Sequence, residues 1–595
     1  MTFGRGRSGI APTPPRATSR ALRSKRAVAL LIVAGGFLGV HGFRLAELQL
    51  VQGAYNRQLA EHNRLRPVYM VADRGTILDR HKQVLATSQL TRSLYLYPRE
   101  QTKDSWKTTA SRLSDVLGLD GKELLAKIEK QGYSSAMPVR IMRDLKPEAF
   151  IALAELGQIP GLEVQPESSR QYPNKNIAAH LLGYISEATE EDVQKNPEFP
   201  PGMLVGQTGL ERLEDERLRG RWGKRLIEVD ATGKELKMLG KQLPVSGQEL
   251  QTTLDLKLQK AAEEALAGRS GAVVVLDVKT GGVMAMASGP TFDPNMFTRR
   301  ITQKEVDYVF NNPNKPLLNR AMQGYPPAST FKIVSTAAAL QSGKYQPDST
   351  IATAGAINIG GTLFHEHGGG GYGTIGFQEA IAVSSNTFFY QVGVKVGPHA
   401  IHEWGHKLGV GESLFGLDGG SNGYIPTPET KKEMSPDDWY IGDTVTMAIG
   451  QGLVQVTPLE MAVMVATIAN GGNRVKPHLL LEQENQPQYQ PQNMGFKPTT
   501  LDTIRKGLIS VVKEGTARSL SDGSIPPTAG KTGTAEVPGG ADNSMYVGYG
   551  PLDNPQIAIA VVVEHGGFGA ESAVPIAHNV YKAYFGPPKP PVAKP

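Results

Sequence analysis

The chain contains no cysteine. That absence excludes disulfide bridges, thiolate-bound zinc and a cysteine nucleophile, so covalent chemistry would have to use another side chain. It does not fix the compartment, since cytosolic and exported proteins can both do without thiols. Acidic residues are missing before Glu47, whereas seven basic residues (Arg5, Arg7, Arg16, Arg20, Arg23, Lys25 and Arg26) precede Ala27. The net charge of +6 therefore resides in that tail. Basic and acidic residues are nearly balanced in the remainder, which leaves no basic body and excludes a nucleic-acid-binding protein. No periodic repeat runs through the sequence. At 595 residues there is room for two or three domains and a large core.

Membrane-spanning candidates are equally scarce. The one run is Ala27 to Phe43, at the short edge of the roughly 17–25 residues that a bilayer requires. The basic flank is expected to stay cytoplasmic, which sends the C-terminal bulk outside. No clear small-x-small cleavage site follows, so an uncleaved signal anchor over residues 27–44 is expected rather than a removed signal peptide. Gly35 and Gly39 could form a close-packing face, although glycine is frequent in such helices without one. Residues 1–26, rich in Arg, Pro, Ser and Gly, are expected to be a disordered cytoplasmic tail.

Past the anchor, Leu45 to Leu65 reads as a helix continuing outward. Arg74 to Arg80 reads as a turn and strand with paired charges. Residues 105–160 alternate amphipathic helical patterns with turns, as in a small α+β region. Ala179 to Ile185 and Gly206 to Glu211 are punctuated by glycine, which marks turns or close backbone approach. His180 reads as a packed or capping histidine. A domain boundary is expected near residue 250, because Gln251 to Asp255 closes a strand and Leu256 to Leu266 opens a helix. Ala272 to Asp277 and Gly282 to Ala287 read as a β-hairpin. Residues 353–376 are glycine-rich and loop-like. Thr457-Pro458-Leu459-Glu460 is a capping box opening an apolar helix. The expected layout is an α+β pedestal over 45–250, a sheet flanked by helices over 251–585 and a disordered tail over 586–595.

The chemistry centres on Tyr325-Pro326-Pro327-Ala328-Ser329-Thr330-Phe331-Lys332, which runs into an alanine-rich apolar stretch ending at Gly343. The pattern predicts a buried helix entered through a rigid loop. Ser329 and Lys332 are three apart and share one helical face. A hydroxyl is a poor nucleophile until a base takes its proton, and a lysine in an apolar wall loses its charge readily enough to be that base. Two further motifs follow in order, Ser384-Ser385-Asn386 and Lys531-Thr532-Gly533. Ser384 can relay a proton between Lys332 and a leaving amine, and Asn386 can hold Lys332 and a substrate amide. Lys531 is a fixed cation for a carboxylate, with Thr532 and Thr534 adding hydroxyl donors. Gly533 would let an extended peptide lie against its strand. Backbone N–H groups of Ser329 and Thr534 could form an oxyanion hole. Single matches are near chance: Ser510 to Lys513 repeats the first pattern and Lys279-Thr280-Gly281 the third. Both lack the order and context of the trio.

The ordered trio is shared by penicillin-binding proteins and class A β-lactamases. Residues 250–585 resemble a penicillin-binding transpeptidase domain. The longer blocks RGTILDRHKQVLATS (74–88), AHLLGY (179–184), GQTGLERLEDERLRG (206–220), NRAMQGYPPASTFK (319–332) and MAIGQG (447–452) resemble the class B, elongation-type penicillin-binding protein 2. The resemblance implies a single-pass inner-membrane protein with a pedestal and an extracytoplasmic D,D-transpeptidase domain. Its substrates would be peptidoglycan stem peptides, and β-lactams would trap Ser329. It also implies a partner glycosyltransferase of the SEDS family, along with other elongation-complex proteins. No cofactor is implied. Some relatives carry a zinc site with a cysteine near the second motif. This chain has none, and His365-Glu366-His367, with Asp348 as a conceivable third ligand, reads as an exposed polar loop tip without metal. A D,D-carboxypeptidase, a serine β-lactamase and a β-lactam sensor that acylates once are the rival functions.

Overall fold

The computed structural model describes residues 18–55, 64–135, 137–200, 202–230, 235–412, 416–417 and 420–586. The expected disorder of residues 1–17 and 587–595 lies outside them, as does the middle of the helix expected over 45–65. The chain divides into two units, Met1–Met70 with Gly223–Leu243, and Val71–Trp222 with Pro244–Pro595.

In the first unit a helix spans Thr18–Ala46 and passes into a π-helical turn at Glu47–Val51. It begins inside the stretch expected to be disordered, because Arg, Ala, Leu and Lys all favour helix once an apolar segment propagates it. Lys25–Val51 is long and apolar enough to cross a membrane, and none of it is buried in the protein. Leu65, expected at a helix end, instead opens the strand Leu65–Met70. That strand pairs antiparallel with Gly223–Val229, which in turn pairs with Glu235–Gln242.

The second unit opens with a five-stranded sheet of Ile77–Leu78, Val84–Leu96, Val139–Met142, Leu162–Gln171 and Leu250–Gln251. Helices Lys103–Leu117, Gly121–Gln131 and Pro147–Glu155 accompany it, two of them capped by the Thr102 and Asp120 side chains. Trp106, Leu113 and Ile128 form a core with Leu94 and Leu96 of the long strand. The glycine-punctuated blocks cross each other. Gly183 has φ +77°, and a Cβ there would lie 1.8 Å from the Thr208 carbonyl oxygen.

A buried charge cluster joins the sequence blocks of this region. Glu211 is fully buried and accepts from Arg74 Nε at 2.6 Å, Arg170 Nε at 2.7 Å and the Tyr172 hydroxyl at 3.1 Å. The two guanidinium groups hold its carboxyl below the usual range despite burial, which pushes it up. Asp79 Oδ2 accepts from the Leu256 backbone N–H at 3.1 Å, tying the Arg74–Arg80 block to the helix that follows the expected boundary.

The remainder is built on one antiparallel sheet. The elements that frame the site are, in chain order, α1 (Leu256–Leu266), β1 (Gly271–Asp277), β2 (Val283–Gly289), α2 (Lys332–Gln341), α3 (Asn386–Val396), α4 (Pro458–Ala469), α5 (Pro498–Lys513), β3 (Ala529–Ala535), β4 (Asn543–Gly550), β5 (Ile557–Val563) and α6 (Ala573–Phe585). The strand order is β2-β1-β5-β4-β3. Consecutive residues of β4 and β5 are all buried, so both faces of the sheet are covered. Helices α1 and α6 pack against each other and the sheet, while α4 packs against β1, β4 and β5. Helix α4 is apolar all round and buried along its length, with the Thr457–Glu460 capping box at its start.

Residues 353–376, expected as a loop, are mostly strand, with 366–372 alone remaining a longer connection. Thr350–Thr353 pairs with Gly373–Gly376, and Ala356–Ile359 with Thr362–His365. Gly360 and Gly361 both have positive φ, the geometry of a tight hairpin turn between strands carrying Thr, Ile and Leu.

Candidate active site

Ser329 lies in a 3₁₀ turn, Ala328–Phe331, and α2 begins at Lys332. The expected single helix is thus tighter at its entrance, where three residues per turn still bring positions 329 and 332 to one side. The turn is held from behind by the MAIGQG segment. Ala328 N donates to the Gly450 carbonyl at 2.8 Å, and Tyr325 and Val456 exchange backbone hydrogen bonds at 3.0 and 2.8 Å. Gly450 has φ +73°, and a Cβ there would stand 2.4 Å from the Ala328 oxygen. Ser329 is partly exposed, whereas Lys332 is fully buried.

All three motifs meet at Ser384. Lys332 Nζ donates to the Ser384 carbonyl at 2.7 Å and to Asn386 Oδ1 at 2.7 Å, and lies 3.3 Å from Ser384 Oγ. Lys531 Nζ donates to the same Oγ at 2.9 Å and to the Thr532 carbonyl at 3.0 Å. Ser384 takes the left-handed backbone conformation, φ +60°, and Ser385 caps α3 through Phe388 N. Burial drives the Lys332 ammonium well below its ordinary pKa, helped by the Lys531 charge and opposed by Glu366. Burial brings Lys531 down to about 7. A neutral Lys332 has two N–H groups and one lone pair. Its two 2.7 Å bonds use both N–H groups, which leaves the lone pair to accept a hydroxyl proton.

The third motif occupies β3, the edge strand of the sheet. Thr532 is buried, and its hydroxyl pairs with Thr516 Oγ1 at 2.5 Å. Thr534 Oγ1 accepts from Gly569 N at 3.2 Å. A Cβ at Gly533 would sit 3.1 Å from Thr330 Cγ2 and 3.2 Å from the Pro327 oxygen. A side chain there would crowd the Ser329 turn, which seats directly on β3. The second Ser-x-x-Lys match is separated by burial: Ser510 is buried and bonded by Gln378, while Lys513 points to solvent. Lys279 lies in the β1–β2 turn, organised by Asp277.

Residues 271–582 match the family model described as the penicillin-binding protein transpeptidase domain, and residues 69–252 match the penicillin-binding protein dimerisation domain. The chain belongs to the penicillin-binding proteins. It is 31% identical over 569 residues to the peptidoglycan D,D-transpeptidase MrdA of Escherichia coli K12, covering 89% of each chain. The MrdA of Acinetobacter baumannii is 30% identical, with 92% of this chain and 86% of the relative aligned. Among solved structures, a complex of penicillin-binding protein 2 with MreC from Helicobacter pylori matches with a TM-score of 0.79 at 27% identity, covering 87% of this chain and 99% of that one. A chain of a peptidoglycan synthase complex that coordinates polymerization and crosslinking matches with a TM-score of 0.71 at 33% identity, covering 96% and 100%. The similarity marks this penicillin-binding protein as class B, of the penicillin-binding protein 2 type.

The main departure from expectation in this penicillin-binding protein is the His365-Glu366-His367 tripeptide. His365 ends a strand, and Glu366 is buried beneath the Ser384–Asn386 turn rather than exposed at a loop tip. His367 is exposed, with its ring 5.8 Å from that of Phe568. Among the described residues no group of three His, Cys, Asp or Glu side chains is arranged to hold a metal ion. His180 is packed as expected, its Nε2 2.7 Å from the Pro316 carbonyl and its pKa lowered to about 4 by burial. Gly450, Thr516 and Glu366 were all missed as neighbours of the motifs.

Proposed function

We propose that this penicillin-binding protein is a peptidoglycan D,D-transpeptidase that cross-links stem peptides through an acyl-enzyme on Ser329. The observation that carries this proposal is the convergence of Lys332 and Lys531 on Ser384, with Lys332 also donating to Asn386 Oδ1. Lys332 takes the Ser329 proton as Oγ attacks the carbonyl carbon of the penultimate D-Ala. Backbone N–H groups of Ser329 and Thr534 receive the oxyanion. The C–N bond then breaks, and the leaving D-Ala amine takes its proton from Lys332 by way of Ser384. Lys531 and Thr534 receive the terminal carboxylate, with Thr532 shaping that end of β3. An amine from a second stem peptide attacks the ester, its proton leaves through Lys332, and Ser329 is released. A β-lactam offers the same carbonyl and is trapped at the same serine.

The same reading takes residues 27–44, within the helix from Thr18, as a membrane anchor with the catalytic region over 251–585 on the extracytoplasmic side of the inner membrane; the apolar span Lys25–Val51 and the basic flank before it support this. The pedestal, 45–250, is the face for elongation-complex proteins and for a SEDS-family glycosyltransferase. The Helicobacter pylori neighbour solved with MreC supports partners of this class.

The test incubates the full chain in detergent with a fluorescent penicillin, maps the adduct by mass spectrometry, then supplies a D-Ala-D-Ala peptide with a donor amine. A persistent Ser329 adduct and cross-linked product are expected. Absence of a Ser329 adduct overturns the proposal. Rapid loss of the label makes the protein a β-lactamase, and release of free D-Ala without cross-linking makes it a carboxypeptidase.

A further inference from the structure

Between Gln341 and Thr374 a single residue is buried, and it is a carboxylate: Glu366, 4% exposed. An acid buried alone in such a run needs compensating partners. Glu366 Oε2 accepts from Ser385 Oγ at 2.6 Å, Thr387 Oγ1 at 2.7 Å and Thr387 N at 3.0 Å. Its Oε1 accepts from Asn386 N at 2.6 Å and from His367 N at 3.0 Å. The first three donor residues belong to the Ser384 turn and the opening of α3, where a negative charge is also favoured by the helix dipole. The same turn holds Lys332 through the Ser384 carbonyl and Asn386 Oδ1. Glu366 is carried there by the Ala356–His365 hairpin, and its own N–H donates to the Gly355 carbonyl at 2.8 Å.

We propose that Glu366 is a positioning residue for the acyl transfer: it locks the Ser384–Asn386 turn and thereby fixes where Lys332 stands beside Ser329. The inference rests on the function proposed above. Ser384 at φ +60° holds a strained conformation that persists only where its surroundings impose it. The four hydrogen bonds from Ser385, Asn386 and Thr387 to Glu366 supply that imposition. They keep the carboxyl ionised, outweighing the upward push of burial. The charged and titratable groups facing this pair are few. Lys332 is faced by Lys531 from β3 and by Glu366 from the hairpin, which act in opposite directions. Glu366 is faced by the phenols of Tyr372 and Tyr390, both pushed up by burial first and then by its charge; Glu536 adds to the push on Tyr390.

The test compares the full chain with E366Q and E366D. The rate of Ser329 acylation by a fluorescent penicillin is measured across pH, together with amide hydrogen exchange of residues 384–388. For E366Q a loss of about 10- to 100-fold in acylation is expected, the size that a misplaced reacting group produces. The rising limb of its pH profile should move to lower pH, because Lys332 loses a neighbouring anion. Faster exchange at Asn386 and Thr387 is expected, and E366D should recover part of the rate by restoring the charge. Acylation within about twofold of the parent chain, or a uniform loss with an unmoved pH limb and unchanged exchange, overturns the proposal. Exchange is read without any reaction, so a parent chain that fails to acylate refutes the proposed function while the positioning role is still decided.

Discussion

Lys531 Nζ donates to Ser384 Oγ at 2.9 Å although the two residues stand 147 positions apart in the chain. The same hydroxyl lies 3.3 Å from Lys332 Nζ. One small side chain therefore links the strand that would receive a carboxylate to the helix that would activate the nucleophile.

Replacing Lys332 with Arg should reduce acylation by about 10²- to 10⁴-fold, the usual worth of a general base, because a guanidinium cannot give up its proton near neutral pH. Stopped-flow fluorescence with a labelled penicillin measures this. A loss below tenfold would show that another group takes the Ser329 proton.

Lys531 sets a stability signature. Its pKa falls from the ordinary lysine value to about 7 on folding. Between pH 7 and the ordinary lysine pKa the unfolded chain binds the extra proton, so stability should rise with pH across that window. Below pH 7 both states are protonated and the cost of the buried cation is fully expressed. Lys531→Met should therefore stabilise the fold by more than about 1 kcal/mol below pH 7, with the gain shrinking toward pH 10. Urea unfolding of both proteins at several pH values measures the difference.

Glu211→Ala should destabilise the pedestal by about 3–5 kcal/mol, because it leaves Arg74 and Arg170 buried without their shared anion. The carboxyl pKa is held low in the fold. Its contribution is accordingly complete above the ordinary carboxylate range and is lost as pH falls through the lowered value. Thermal unfolding of parent and variant at neutral and acidic pH should show the gap closing in acid.

Gly450→Ala should separate position from chemistry. The new methyl would stand 2.4 Å from the Ala328 oxygen and 2.5 Å from Phe331 Cβ at a backbone φ of +73°. The Ser329 turn has to shift, and acylation should fall by about 100-fold with the three motif residues intact. Circular dichroism showing a folded protein, alongside the acylation rate, distinguishes this from global unfolding.

What was legible before the structure follows a physical division. The trio of Ser329, Ser384 and Lys531 was legible because the chemistry demands particular residue types at short local spacing. The Thr457–Glu460 cap and the β1–β2 hairpin were legible because they too are local. Glu366 was not, because its four bonds to residues 385–387 cross a hairpin disguised by glycines. Arg74 looked like a strand-flanking charge, since its partner Glu211 lies 137 residues away. The start of the N-terminal helix was missed because apolar content, rather than helix propensity, set the expected boundary.

The neutral-pH poise of Lys531 has a calorimetric consequence. An arriving carboxylate raises the proton affinity of that amine, so docking near pH 7 should draw hydrogen ions from the medium. The heat of association would then depend on the buffer's own ionisation enthalpy, and antibiotic recognition would tighten as the surroundings acidify toward pH 6. Acidity would thus act as a silent co-ligand of the site.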